Sequence, residues 1–534
     1  MTRSIHIMRF HIKALGLAVA LTVSLAIGAS AKDLHWAFQG DIHSMDPYSL
    51  NETFSIGTLG NVFEGLVRRD SDLSIKPALA ERWELQEPTR WRVYLRKGVK
   101  FHDGRPFNAD DVVFSFERAR AKGSDVGGKL ATVSEIRKID DFTVDFITPS
   151  PNPIITSEWE TWLIMSKGWA EEHQAVSPEA PSGEGASYAR LHANGTGPYK
   201  LVSREADVKS EFAAFDGWWD AKNRAGMPDR VTMSPISSAA TRVAALLSGN
   251  VQMAYPIPVQ DMKRVDDNTG THMLVGPEVR TIYLGMDMFR DELLYSNIKG
   301  KNPFKDKRVR QAVFQAIDED AIAKKVMRGL ATPTAMMIAP GIIGYNTSFK
   351  RLPYDVAKAK QLLAAAGYPN GFEVTMDCPN DRYVNDEAIC QAVVGMLARV
   401  GVKVNLLAQP KAIYFGKILA PKLDTSFYLL GWQPDSFDSW NPLFNLINCP
   451  EDKKGRFNLG GYCNKEVDAL TAQILSETNQ TKRNQLLDKV WAMVIDDVAT
   501  IPLHQQAVAW GVNDKITVEQ RADNVFHWRH VTVK

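Results

Sequence analysis

The sequence predicts an α/β protein of more than one domain, and three observations predict it. The chain has 534 residues, more than a single hydrophobic core usually serves. Hydrophobic residues make up 45% and charged residues 23%, the balance of a soluble globular protein. Short strand-like runs alternate with amphipathic helix-like runs throughout, without low-complexity tracts or a fixed repeat. Lys and Arg number 63 against 62 Asp and Glu, a formal charge of +1. That balance offers no basic footprint for nucleic acid, which is excluded as a partner.

Residues 1–31 stand apart. Arg3, Arg9 and Lys13 precede an apolar run from Ala14 to Ala29, and Ala29-Ser30-Ala31 supplies the small residues of a cleavage site. The run is about 16 residues, shorter than the roughly 20 that span a bilayer. It reads as a secretory signal peptide cut after Ala31, with a soluble, exported product. An uncleaved anchor is the alternative.

From there the elements follow in order. Lys32 to Phe38 reads as a strand that reaches a turn at Asp46-Pro47. Trp91 to Leu95 is a strand ending at Lys97-Gly98. Asn108, followed by Asp110 and Asp111 and an apolar periodic run, caps a helix to about Ala119. Residues 136–148 alternate as a strand, and 176–187 read as an exposed loop. Asp306 to Met327 is one helix or two short ones, with Arg308, Arg310, Lys324 and Lys325 in solvent. Tyr354 to Ala366 is a helix closed by Gly367. Phe372 to Met376, Val402 to Leu407 and Ser426 to Leu430 are strands, and Asn385 to Val400 is a helix. Asn464 to Asp497 is helical with a break near Asn479, and Ala507 to Gly511 is a strand.

Cys378, Cys390, Cys449 and Cys463 are an even set in an exported chain, which favours disulfides. Of three pairings, Cys378–Cys390 and Cys449–Cys463 are preferred because each closes a short loop. A metal site is disfavoured because no pair has CxxC spacing. The chain has no GxSxG, HExxH, Walker A loop or GxGxxG after a strand. His527 and His530 sit in a stretch that looks extended and read as a surface pair. No catalytic constellation and no cofactor follow from the sequence.

Residues 77–119, PALAERWELQEPTRWRVYLRKGVKFHDGRPFNADDVVFSFERA, resemble the signature region of the family 5 extracellular solute-binding proteins of ABC importers. GTGPYKL at 195–201, PFKDKRVRQAVFQAID at 303–318, YDVAKAKQLLAAAGYPNGF at 354–372 and GYCNKEVDAL at 461–470 extend the resemblance along the chain. It implies a two-lobe periplasmic-binding-protein fold of class II type, with a subdomain inserted at about 65–195. The first lobe would be 32–282 with 503–534, and the second 283–502. The hinge would be two segments crossing near Val279–Met286 and Thr500–Gln506.

The resemblance also implies a monomeric receptor that passes a peptide-like ligand to an ABC permease in the inner membrane. Peptide-binding members hold the ligand ammonium on an Asp in a Gly-Trp-x-x-Asp motif. GWQPDSFDSW from Gly431 places Asp435 there, with Asp438 a second acidic position in the same loop. Arg382 lies one position from where the family meets a ligand carboxylate. Trp432, Trp440, Tyr383 and Phe54 are candidate pocket walls, while Trp83 and Trp91 read as core. An opine, a sugar-phosphate conjugate or a nickel chelate is the alternative ligand. An exported hydrolase or a periplasmic chaperone is the alternative of another class.

Overall fold

The computed structural model describes residues 32–182, 187–451 and 454–534. The proposed signal peptide lies outside the described residues, as do residues 183–186 of the loop expected at 176–187. No described helix is long and apolar enough to cross a membrane.

The apolar positions of Asp33–Phe38 (β1) bury Leu34, Trp36 and Phe38, and the chain then turns at Asp46. That carboxylate is buried and accepts both Nη groups of Arg118, at 2.7 and 2.6 Å. A short helix, Thr53–Leu59 (α1), follows. Ala80–Glu87 (β2) and Arg90–Leu95 (β3) form a hairpin. Ala109–Arg120 (α2) starts with a capping box. The Asn108 side chain accepts from the Asp110 N–H, and the Asp111 carboxylate accepts from the Asn108 N–H. The helix therefore begins where the sequence marks it, and its last turn delivers Arg118 to Asp46.

The run expected as one strand at 136–148 is a hairpin, Glu135–Asp140 (β4) and Thr143–Ile147 (β5). Asp140 accepts from the Phe142 N–H and turns the chain. These strands complete a four-stranded sheet in the order β2-β3-β5-β4. Trp83 and Trp91 pack half-buried against the core beside it. In the loop at 176–187, Glu179 is buried and pairs with Arg190, so part of it is interior.

Tyr199–Glu205 (β6), Lys209–Ala214 (β7), Arg230–Pro235 (β8) and Met253–Tyr255 (β9) lead into the long strand Thr271–Met286 (β10). Lys307–Ala316 (α3) stops early, and a second, shorter helical segment follows it from Glu319. Arg310, expected in solvent, is buried because its guanidinium caps the carbonyls of Phe304, Lys305, Asp497 and Val498. Next come Ala331–Pro333 (β11), Val356–Ala365 (α4), Glu373–Pro379 (β12), Asp386–Ala398 (α5), Lys403–Gln409 (β13) and Phe427–Trp432 (β14). Lys465–Ser476 (α6) and Gln480–Asp496 (α7) break at Asn479, which caps α7. Ile501–Asn513 (β15) runs well past the short strand expected there.

Eleven strands form one sheet in the order β13-β12-β14-β10-β15-β9-β1-β8-β7-β6, with β11 added to β15. Its centre is the antiparallel pair β10 and β15, in register from Thr271 opposite Asn513 to Leu284 opposite Ile501. The register shifts between Pro277 and Thr281 and again between Ile282 and Tyr283. One end of this pair continues into β14 and the other into β9. One hydrophobic core draws on Leu34, Trp36, Phe116 and Trp162, and on Trp510 and Trp528 from the far end of the chain. Two others are built almost wholly from residues 282–503. The result is two α/β lobes joined by β10 and β15.

Candidate functional site

The lobes meet around a partly enclosed cavity lined by both apolar and charged side chains. Its walls come from the segment entering α1, from Lys129 and Glu160–Thr161, from Arg280 on β10 and from the loop after β12. Further residues come from Phe415 and Leu419, from β14 and the loop that follows it, and from Phe457, Asp523, Val525 and His527.

The loop after β12 carries Arg382 and Tyr383 and is held from below. Asp386, in the first turn of α5, accepts the N–H groups of Arg382, Tyr383 and Glu387 at 2.9, 2.9 and 3.0 Å. Burial nonetheless pushes its carboxyl up to about 7. A disulfide joins Cys378 to Cys390 across this loop, and another joins Cys449 to Cys463 around Arg456 and Phe457. Both are the local pairings favoured from the sequence. Gly431 lets Tyr383 and Arg280 close on β14, since a methyl group there would lie 2.7 Å from the Tyr383 ring.

Arg382 is buried, with Nε 3.0 Å from Glu52 Oε1, and its terminal nitrogens hydrogen-bond to no described residue. Lys411 Nζ lies 3.5 Å from the same carboxylate. Burial disfavours charge on Glu52, but Lys411, Arg382 and two hydrogen bonds from Ser55 outweigh it and hold the carboxyl at about 2. Arg280 donates to Glu278, Thr53 and Gln433 at 3.0, 2.9 and 3.3 Å. Glu160 pairs with Arg69 and Arg521, Asp523 with Arg521, and Asp435 with Lys129. Every carboxylate lining the cavity thus already faces a cation of the protein, whereas Arg382 keeps donors free. Such an interior suits a solute that brings negative charge.

The structure brings Asp435, Trp432, Arg382 and Tyr383 together in this cavity. It does not bring Asp438, Trp440 or Phe54 there. Asp438 is buried and held by both Nη groups of Arg483, at 2.7 and 2.8 Å. Trp440 is buried in the core against Phe444. Phe54 stacks on Phe38 with ring centroids 3.6 Å apart and lines a smaller neighbouring cavity. His527 and His530, expected to be extended and exposed, lie at a 3₁₀ turn over Trp528–His530. His527 is buried and lines the main cavity, and burial with Arg529 and Arg521 nearby keeps its pKa well below the usual range.

Sequence reasoning missed Glu52, Lys129, Glu160, Arg280 and Phe457. For Arg280 a signal existed, a charge inside the otherwise apolar run VRTIYLGM. Lys129 carries no local signal. Among the described residues, no group of three His, Cys, Asp or Glu side chains is placed to hold a metal ion.

Two α/β lobes joined by paired strands and closed on a charged, aromatic-walled cavity define a solute-binding protein. The chain belongs to the bacterial extracellular solute-binding proteins, family 5, which it matches over residues 74–454. It is 30% identical over 520 residues to the glutathione-binding protein GsiB of Shigella flexneri, covering 94% of each chain. Its fold matches the periplasmic binding protein DppA of Helicobacter pylori, solved with the peptide STSA. There the TM-score is 0.81 at 23% identity, over 94% of this chain and 98% of that one. It also matches AgaA of A. tumefaciens R10, solved with agropinic acid, with a TM-score of 0.82 at 22% identity over 94% and 99%.

Proposed function

We propose that this chain is a periplasmic receptor that captures an anionic, peptide-like ligand between its lobes and hands it to the permease of an ABC importer. The observation that carries the ligand class is Arg382, buried in the cavity wall with unshared guanidinium nitrogens. A carboxylate taken out of water needs such a donor pair. Glutathione, for which the similar Shigella protein is named, has two carboxylates and one ammonium and belongs to this chemical class. Asp435 and Trp432 line the same cavity. The lobes run over 32–282 with 503–534 and over 283–502, with an inserted subdomain at about 65–195. The receptor works as a monomer, carries out no chemistry, and is exported with cleavage after Ala31.

Calorimetric titration of the purified protein with glutathione and a panel of two- to five-residue peptides tests the reading. Saturable binding at one site, weakened when the ligand's C-terminal carboxylate is amidated, is expected. No heat of binding from any member of the panel overturns it.

A further inference from the structure

We infer that Lys129 and Asp435 together form a subsite for a zwitterionic α-amino acid head, a group with its ammonium and its carboxylate on the same carbon. The inference rests on the peptide-like reading above and narrows it to one ligand class.

Lys129 stands in the 3₁₀ turn Gly127–Leu130, between α2 and β4, and Asp435 in the loop after β14. Both line the main cavity, and the ammonium of Lys129 touches Asp435 Oδ2. A lysine ammonium has three donors. One goes to Asp435 and one to Thr161 Oγ1 at 3.0 Å, which leaves one. Asp435 Oδ1 accepts from no described residue, and its side chain is 23% exposed against 6% for Lys129. The pair is therefore neutral as a whole, yet presents one free donor beside one free acceptor.

Such a pair treats two kinds of amino terminus differently. The N-terminus of an ordinary α-linked peptide brings an ammonium followed by a neutral amide. Its attraction to Asp435 is opposed by the like charge of Lys129 at similar range. A zwitterionic head brings ammonium and carboxylate side by side. The first meets Asp435 and the second meets Lys129, so four charges alternate and none is left unmatched. An isopeptide linked through a γ-carboxyl keeps such a head intact, whereas an α-linked peptide has consumed that carboxylate in its amide bond. Arg382, which lines the same cavity, then takes the ligand's second carboxylate. Lys129 is on this account the residue that selects γ-linked over α-linked peptides.

The test titrates the purified protein with γ-linked and α-linked Glu-Ala-Gly, two tripeptides of identical composition without a thiol. At least tenfold tighter binding of the γ-linked form is expected. Lys129→Met should bring the two affinities within about twofold, and Lys129→Arg should retain the preference. Equal or tighter binding of the α-linked form by the unaltered protein overturns the inference and leaves the peptide-like reading standing. A preference that survives in a folded Lys129→Met protein overturns it as well. If neither tripeptide binds while other peptides of the panel do, this inference alone falls. If nothing in the panel binds, both fall together.

Discussion

Arg483 closes both of its Nη groups on the carboxylate of Asp438, at 2.7 and 2.8 Å, with neither side chain in contact with the cavity. Asp438 also accepts from the Trp440 N–H, and Arg483 Nε donates to the Ile474 carbonyl. The pair ties the loop after β14 to the start of α7. Removing one partner leaves the other as a buried, unpaired charge. Asp438→Ala should therefore cost about 3–5 kcal/mol of stability in urea unfolding. The ligand affinity of the folded protein should stay unchanged, and a stable variant with weakened binding would return Asp438 to the site.

Arg382 is expected to behave in the opposite way. Arg382→Met still leaves Glu52 paired with Lys411 and hydrogen-bonded by Ser55, so thermal stability should change little. Affinity for a ligand with a free carboxylate should fall by about 2–5 kcal/mol, measured by calorimetry. The amidated ligand should lose far less, and an equal loss for both would remove the carboxylate role.

Glu52 sets a pH window. Its carboxyl is held at about 2 in the folded chain against an ordinary 4.5. A depressed folded value means stability that is complete above the unfolded pKa and is lost as pH falls toward the folded one. The stability difference between the unaltered protein and Glu52→Gln should be flat from pH 5 to 7 and shrink from about 4.5 downward. Unfolding titrations at fixed pH values check this, and a difference growing toward low pH would contradict it.

The disulfides should matter to binding as well as to stability. Cys378 and Cys390, 12 residues apart, bracket Arg382 and Tyr383. Replacing both with Ser should cost roughly 2–4 kcal/mol through the freed loop. Ligand affinity should fall too, because Arg382 then pays an ordering cost on binding. Unchanged affinity would mean that Asp386 alone positions the loop.

Much of this was legible in the sequence because it is local. The cap at Asn108, the break at Asn479 and the two short cystine loops are each encoded within about fifteen residues. Asp435 and Asp438 show where local reading ends. They share one loop and one residue type, and only distant partners separate them, Lys129 for the first and Arg483 for the second. Arg310 and His527 misled for the same reason, since Arg310 is buried against the carbonyls of Asp497 and Val498 and His527 against Gly60, all far off in the sequence. The strand pattern predicted β15 but not its length, because its first half is buried by pairing with β10 rather than by its own alternation.

The core that begins at Leu34 is completed by Trp510, Phe526 and Trp528, and all four cysteines lie between its two ends in the sequence. A polypeptide is made, and leaves any pore, from its N-terminus. The lobe that starts first therefore cannot finish until the last dozen residues arrive. By then Cys378, Cys390, Cys449 and Cys463 have all emerged, and the second lobe has everything it needs to close its cystines and pack. Maturation thus runs against the order of synthesis, and truncating the C-terminus at 520 would leave the oldest part of the chain as the part still unfinished.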